Sequence, residues 1–427
     1  MSGYDFNINS VGDDPAKEDL LGFDVYVKAL KSVINLQKKE ESFSIGLFGD
    51  WGTGKSTLME LLDKNLEDTK YVKVKFKAWK YDGREEILNA LIQTIMLKFQ
   101  ELAPNEEKKK SIRETAIGFA KIAGTSIVSK LVSNKTAGLV DIQDMADGYK
   151  DSVDNIEFIN KFEETFKSFI DEQLGINKTL VIFIDDLDRC LPENAIKVLE
   201  AIKLFLDAKS CVYILGIDDQ VIQNAIKHRY GENSKIELDG KDYLEKIIQL
   251  QLVVPKPSQQ HLLKYIEEHF GDILDDELKQ IIVYGCNMNP RNIKRFVNLY
   301  SLITNIIKNM KPVGFTLNNQ ILAITLMIQI RFPEFYKYLS LNLKRYVELL
   351  GKTEDNFYSQ TTINDFRTKA EDKRFGEFLD DTASKFFIPL QEKYKNQSKR
   401  LNISQITESD LIYYFNFTKF SDVSNEV

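Results

Sequence analysis

The sequence predicts an α/β fold: a three-layer sheet core with a helical insertion, followed by an all-α lid and a C-terminal helical region. Three observations predict it. Leu180 to Ile184 and Val212 to Ile217 are near-continuous apolar runs rich in Val and Ile, the pattern of parallel strands covered by helices on both faces. A glycine-rich stretch, Gly49 to Ser56, joins a short apolar run to a helical pattern. Beyond Pro257, every segment with a clear period is helical.

The 427 residues are 43% hydrophobic and 28% charged, with nine prolines, so the chain has the composition of a folded protein large enough for two to three domains. A formal net charge of −7 argues against a whole-molecule electrostatic grip on nucleic acid. Cys190, Cys211 and Cys286 show no Cys-x-x-Cys or Cys/His spacing, so neither a zinc site nor a disulfide framework is indicated, and a reducing cytoplasm fits best. The first residues, Met-Ser-Gly-Tyr-Asp, lack the arrangement of a signal peptide. Ile112 to Val132 comes nearest to a membrane segment, but Lys121 and Lys130 interrupt it, whereas a spanning helix needs roughly 20 mostly apolar residues. A cytoplasmic chain without a membrane span is expected.

The elements follow in order. Asp19 to Gln37 carries Leu20, Phe23, Val27, Leu30, Val33 and Ile34 at helical intervals, and a short strand, Phe43 to Phe48, comes next. Tyr71 to Trp79 alternates Val72, Val74, Phe76 and Ala78 with lysines, the signature of a peripheral strand with one solvated side. Helices are predicted from Glu85 to Leu102 and from Pro192 to Leu206, the second with its proline in the first turn. Gln249 to Val254 is the last core strand, ended by Pro255 and Pro257. The core therefore takes residues 1–257, with an insertion at about 104–155 that contains the lysine run Lys108 to Lys110. Gln259 to Phe270, Asp276 to Tyr284 and Pro290 to Asn309 make a helical lid over 258–310, and 311–427 form a further helical region.

Gly49-Asp50-Trp51-Gly52-Thr53-Gly54-Lys55-Ser56 matches G-x-x-x-x-G-K-[S/T] between a strand and a helix. Such a loop wraps phosphate oxygens with inward N–H groups, at backbone angles that a Cβ hinders, and the helix N-terminus adds a favourable dipole. The core is thus a P-loop NTPase sheet. Candidate nucleotide-binding residues are Gly49, Asp50, Trp51, Gly52, Thr53, Gly54, Lys55, Ser56 and Thr57. Lys55 neutralises β/γ-phosphate charge in this reading, and the Ser56 hydroxyl ligates Mg²⁺.

The second half of the site is the strand Thr179 to Ile184 running into Asp185, Asp186, Leu187, Asp188 and Arg189, at the carboxyl edge where α/β sheets place ligands. Asp185 is the candidate for the Mg²⁺ shell and Asp186 for orienting or deprotonating the attacking water. The bland alternative is a solvated loop whose aspartates cap the next helix, and Asp188 reads as structural as readily as functional. Arg189 either reaches a γ-phosphate, within the chain or across a subunit boundary, or pairs locally with its aspartate neighbours. Asp218 either senses the γ-phosphate from the end of its strand or serves the turn Gly216 to Asp219. Asn289 to Arg295 opens a helix with Arg291, Lys294 and Arg295 where the dipole disfavours cations, which makes Arg291 a candidate for reaching nucleotide from the lid, against a solvated basic face. His228, His261 and His269 form no ligand cluster, and Trp51 and Trp79 read as core or loop anchors.

On these pieces the sequence resembles the KAP family of P-loop NTPases. The matching residues are Asp19 to Phe23, Gly46 to Ser56, Phe76 to Tyr81, Ile182 to Cys190, Tyr243 to Gln249 and Asn289 to Arg295, in the family's order from roughly Asp19 to Leu302. The resemblance implies the additional-strand type of sheet, a helical lid, and ATP as the nucleotide. Many relatives insert transmembrane helices between the two nucleotide motifs; this chain keeps an insertion there without continuous apolar spans. Bacterial relatives often look like components of defence against phages, acting as ATP-driven switches or assembly platforms for effectors. The expectation is a Mg²⁺-dependent ATP-binding and hydrolysing switch whose nucleotide state controls self-association and which works with a protein effector. Alternatives are a nucleic-acid-stimulated motor, a P-loop phosphotransferase in which Asp188 and Arg291 serve the acceptor, and a membrane-surface platform using Ile112 to Val132.

Overall fold

The computed structural model describes residues 15, 18–37, 41–82, 87–123, 154–175, 178–205, 208–230, 240–270, 274, 276–351, 360–369, 373–382, 386–387 and 406–419. These fall into two compact units, one of Phe23–Pro255 with Pro15 and Glu18, the other of Asp19–Gly22 and the residues from Lys256 onward.

The first unit is built on a five-stranded parallel sheet. Its strands are β1 (Phe43–Phe48), β2 (Tyr71–Lys77), β3 (Thr179–Asp185), β4 (Cys211–Ile217) and β5 (Leu250–Val253), in the order β2-β3-β4-β1-β5. Alternate residues of β3 and β4 point to opposite faces, and both sets are buried: Leu180, Ile182, Ile184, Tyr213 and Leu215 on one side, Val181, Phe183, Val212 and Ile214 on the other. This is why these two strands read as continuous apolar runs. On the first face pack α3 (Ile87–Leu102), α5 (Asp154–Leu174) and α6 (Pro192–Phe205), through Leu91, Ile95, Phe166, Ile170, Ile196 and Leu199. The other is reached by α2 (Lys55–Asn65), which packs against α1 (Asp24–Leu36) and β4. The strand β4 stands between the strand carrying the glycine loop and the strand ending in the aspartates, which is the additional strand that the resemblance implied.

β2 is one of the two edge strands, and its predicted solvated side carries Lys73 and Lys75. Lys73 pairs with Asp68 at 2.7 Å, and Lys75 pairs with Glu60 and Asp63 at 2.6 and 2.8 Å. The strand stops at Lys77, two residues before the sequence expectation, because Ala78–Tyr81 closes a 3-10 turn with Ala78 buried. Within the insertion, α4 (Glu106–Ala123) is helical and takes in the first part of Ile112 to Val132; residues 124–153, which include the remainder of that stretch, lie outside the described residues. Among the described residues no helix is long and apolar enough to cross a membrane.

After α7 (Asp219–Tyr230) and α8 (Gly240–Ile247), the second unit is helical: α9 (Gln259–Phe270), α10 (Asp276–Gly285), α11 (Pro290–Met310), α12 (Asn319–Arg331), α13 (Pro333–Leu341), α14 (Leu343–Gly351), α15 (Gln360–Thr368), α16 (Lys373–Thr382) and α17 (Glu408–Thr418). Asparagine caps start two of them. Asn289 accepts from the N–H groups of Arg291 and Asn292, and Asn318 from those of Gln320 and Ile321, satisfying donors that a helix start leaves unpaired. α12 is buried at every residue from Ile321 to Ile328, so it is apolar all round and forms the centre of the unit, packed by α10, α11, α13 and α17.

Candidate nucleotide site

The loop between β1 and α2 has the backbone its glycines permit. Gly52 and Gly54 lie at φ of 86° and 104°, a region that L side chains rarely enter, and Gly54 immediately precedes α2. Gly49 N donates to Ile217 O of β4 at 3.2 Å, and the Thr53 N–H and hydroxyl donate to Asp50 O at 3.3 and 2.8 Å, so the loop is tied to the sheet and folded on itself. Lys55 is buried and folded back into the loop, its Nζ donating to Gly49 O at 2.6 Å and to Asp50 O at 3.2 Å. Ser56 and Thr57 follow in the first turn of α2, half-buried and buried.

At the carboxyl edge, Asp185 ends β3, and its Oδ1 accepts from Asp186 N at 2.9 Å. The residue that makes room for this carboxylate is Gly216 of β4, where an added Cβ would stand 2.9 Å from Asp185 Oδ1 and 3.2 Å from Met59 Cε. Sequence reasoning passed over this glycine; the only signal was its place one strand away from the acid, at the end of an apolar run.

Asp186 takes left-handed backbone angles, φ 60° and ψ 29°, and leads into the 3-10 turn Leu187–Arg189, anchored by the fully buried Leu187. The turn parts its two acidic neighbours, Asp188 facing Lys55 and Asp186 pairing with Arg189. Asp188 is nearly buried, with its Oδ2 3.9 Å from Lys55 Nζ. Burial pushes its carboxyl above the ordinary carboxylate range, Lys55 and its own backbone N–H pull the other way, and Asp218 and Asp185 add to the upward push. Lys55, Asp185, Asp188 and Asp218 therefore share one electrostatic neighbourhood. Asp188, which the sequence left open between a structural and a functional part, thus stands beside the loop lysine. Asp218 also serves its turn, its Oδ1 accepting from Val221 N at 3.4 Å at the start of α7.

Arg189 takes the local option. Its Nε forms an ion pair with Asp186 Oδ1 at 2.8 Å, and its guanidinium carbon lies 5.9 Å from the Trp51 ring centroid and 5.7 Å from that of Trp79. The two tryptophans are 45% and 53% exposed, so they are not core anchors but the two jaws around this arginine. Asp82, just past Trp79, accepts from Leu191 N at 2.9 Å and Asn194 Nδ2 at 2.7 Å, capping α6 directly after the turn. Arg291 belongs to the helical unit, in the first turn of α11, with its N–H on Asn289 Oδ1 at 3.0 Å.

The residues present fit a magnesium nucleotide. The loop is a cradle that side chains at Gly52 and Gly54 would strain, Lys55 supplies a buried cation, and the Ser56 hydroxyl with the Asp185 carboxylate offers the hard oxygen donors that Mg²⁺ takes. Among the described residues no group of three or more His, Cys, Asp or Glu is arranged to hold a metal by itself, and Mg²⁺ ordinarily relies on one or two protein oxygens together with phosphate and water.

Comparison with known proteins extends these observations. Over 284 residues the chain is 26% identical to the Phage T7 exclusion protein of Escherichia coli (strain K12), a match covering 58% of this chain and 36% of that protein. The chain thus spans about a third of that relative's length. It is also 28% identical over 181 residues to an uncharacterized protein of Methanocaldococcus jannaschii, covering 34% of this chain and 88% of the other. Among solved structures it is similar to the Aeropyrum pernix ORC2 protein, at 14% identity and a TM-score of 0.37 over 97% of this chain and 88% of that one. The Aeropyrum pernix ORC1 protein is similar at 11% identity and a TM-score of 0.37, over 97% and 85%. The family profile for the KAP family P-loop domain matches residues 23–307, well over half of the chain, and on that match the chain belongs to the KAP family of P-loop NTPases.

Proposed function

We propose that this chain is a Mg²⁺-dependent ATP-binding and hydrolysing switch or assembly platform of bacterial phage defence, working in the cytoplasm with protein partners. The observation that carries the hydrolytic part is the buried Lys55 inside a glycine loop, facing the acids that follow β3. The defence context is supported by similarity to the Phage T7 exclusion protein.

Bound Mg-ATP supplies the phosphoryl group that is transferred and the metal that neutralises its charge. Lys55 exchanges its loop carbonyls for β/γ-phosphate oxygens, the loop N–H groups hold the remaining phosphate charge, and Ser56 and Asp185 hold the metal. Asp186 takes the proton of the attacking water as the new P–O bond forms and the bond to the β-phosphate oxygen breaks, leaving ADP and inorganic phosphate. Asp218 senses the γ-phosphate, and Arg291 responds from the lid. In this reading residues 1–257 are the catalytic core, 258–310 the lid, and 311–427 the region that carries a partner or the next subunit.

Nucleotide state is expected to control self-association. With Mg²⁺ and a non-hydrolysable ATP analogue, mass photometry should show a larger species than the nucleotide-free chain, and turnover per subunit should rise with protein concentration. Identical mass in both states sinks the assembly. Turnover that depends on added DNA points instead to a motor, and a phosphorylated acceptor in place of free phosphate points to a phosphotransferase. Gly216→Ala tests the metal site. Its Cβ displaces the Asp185 carboxylate while the fold tolerates the change through the flexible Met59, so nucleotide affinity by calorimetry should fall about tenfold with Mg²⁺ present and stay unchanged without it. Equal affinity in both titrations removes Asp185 from the metal.

A further inference from the structure

Three separate sequence motifs meet at Arg189, and the hydrolytic reading uses none of that meeting. Trp51 comes from the phosphate loop, Trp79 from the turn after β2, and Arg189 from the turn after Asp186; the guanidinium carbon stands 5.9 and 5.7 Å from the two ring centroids. One jaw is fixed. Ala78 is buried beside Trp79, Phe76 and Tyr81 stack at 5.1 Å and 4°, and Asp82 ties the segment to Leu191 and Asn194 just beyond Arg189. The other jaw, Trp51, rides on the loop that nucleotide fills. Arg189 meanwhile engages the Asp186 carboxylate at 2.8 Å, while Lys55 faces Asp188 and the loop's own carbonyls. Asp186, at a left-handed φ of 60°, is thus paired with the same guanidinium that the two tryptophans flank.

Resting on the hydrolytic reading, we propose that Arg189, gripped by Trp51 and Trp79, is a positioning residue that keeps Asp186 in a resting orientation, and that filling of the phosphate loop frees Asp186 by moving Trp51. A partly exposed ion pair and two exposed cation–π contacts are each weak, so together they favour the resting orientation without locking it. Nucleotide opens such a latch only by binding the released state better, and a loop that must wrap phosphate while carrying one jaw supplies that difference.

The sequence provides its own reporter, because the chain has two tryptophans and both are jaws of the latch. In the full chain, adding Mg²⁺ with a non-hydrolysable ATP analogue should shift tryptophan emission. Arg189→Gln should give the shifted emission already without nucleotide and raise turnover at saturating ATP about tenfold, with KM changed less than about twofold. Trp79→Leu, which leaves the loop intact, should raise turnover about threefold in the same direction. A merely structural arginine would not produce a rise in kcat at constant KM. If Arg189→Gln lowers turnover, the arginine works in catalysis and the latch is wrong; if it changes neither emission nor turnover while the unaltered chain hydrolyses ATP, the ion pair is inert surface and the latch alone falls. An unaltered chain that neither hydrolyses ATP nor changes emission overturns the hydrolytic reading and the latch together.

Discussion

Replacing Lys55 by alanine is expected to weaken Mg-ATP binding by about a hundredfold or more, about 2.8 kcal/mol. The reason lies in where the ammonium sits. It is buried, donates to the carbonyl oxygens of Gly49 and Asp50, and stands 3.9 Å from Asp188. Phosphate oxygens are the stronger partners for that cation, since charge-assisted hydrogen bonds contribute about 1.5–3 kcal/mol each. Alanine removes them and leaves Asp185, Asp188 and Asp218 facing the incoming phosphates without a compensating charge. Calorimetry with Mg²⁺ reads the loss, and circular dichroism confirms that the chain still folds. Unchanged affinity would place the nucleotide elsewhere.

Asp186→Asn is expected to leave Mg-ATP affinity within about threefold and to lower turnover at least about a hundredfold, the scale of a lost general base. The amide is nearly isosteric, so the phosphate loop and the metal-holding side chains are undisturbed; what disappears is the capacity to take the proton of the attacking water. Phosphate release under single-turnover conditions separates this from slow product release. Hydrolysis at the native rate would move the base elsewhere, and Asp188, the acid nearest Lys55, becomes the next residue to substitute.

The parts of this molecule that were legible in the sequence are those fixed by local pattern. β3 and β4 announced themselves because both of their faces are buried, and β2 because its lysines alternate with core residues at the sheet edge. The glycine loop was legible because its function constrains consecutive residues, and two of its glycines do take the left-handed angles expected of them. The helix α5 has no comparable signal: its buried Phe166, Phe169 and Ile170 lie just after an insertion whose sequence shows no strand pattern. Within the site, the inward turn of Asp188 and the grip of Trp51 and Trp79 on Arg189 depend on which way a single short turn points its side chains. Partners brought together from three distant segments leave no spacing in the chain to read.

The lysines of β2 bear on how copies of the chain can meet. An open sheet edge offers unpaired backbone groups to any extended strand, and lysine heads along it are one of the ways natural proteins keep such edges from joining. Here Lys73 and Lys75 are held in place by Asp68, Glu60 and Asp63, so a foreign strand approaching β2 would have to strip an ordered charge lattice before its first backbone bond could form. Runaway stacking through this margin is thereby discouraged, and an assembly of the proposed kind would grow through other surfaces, which would keep a regulated association from sharing a route with aggregation.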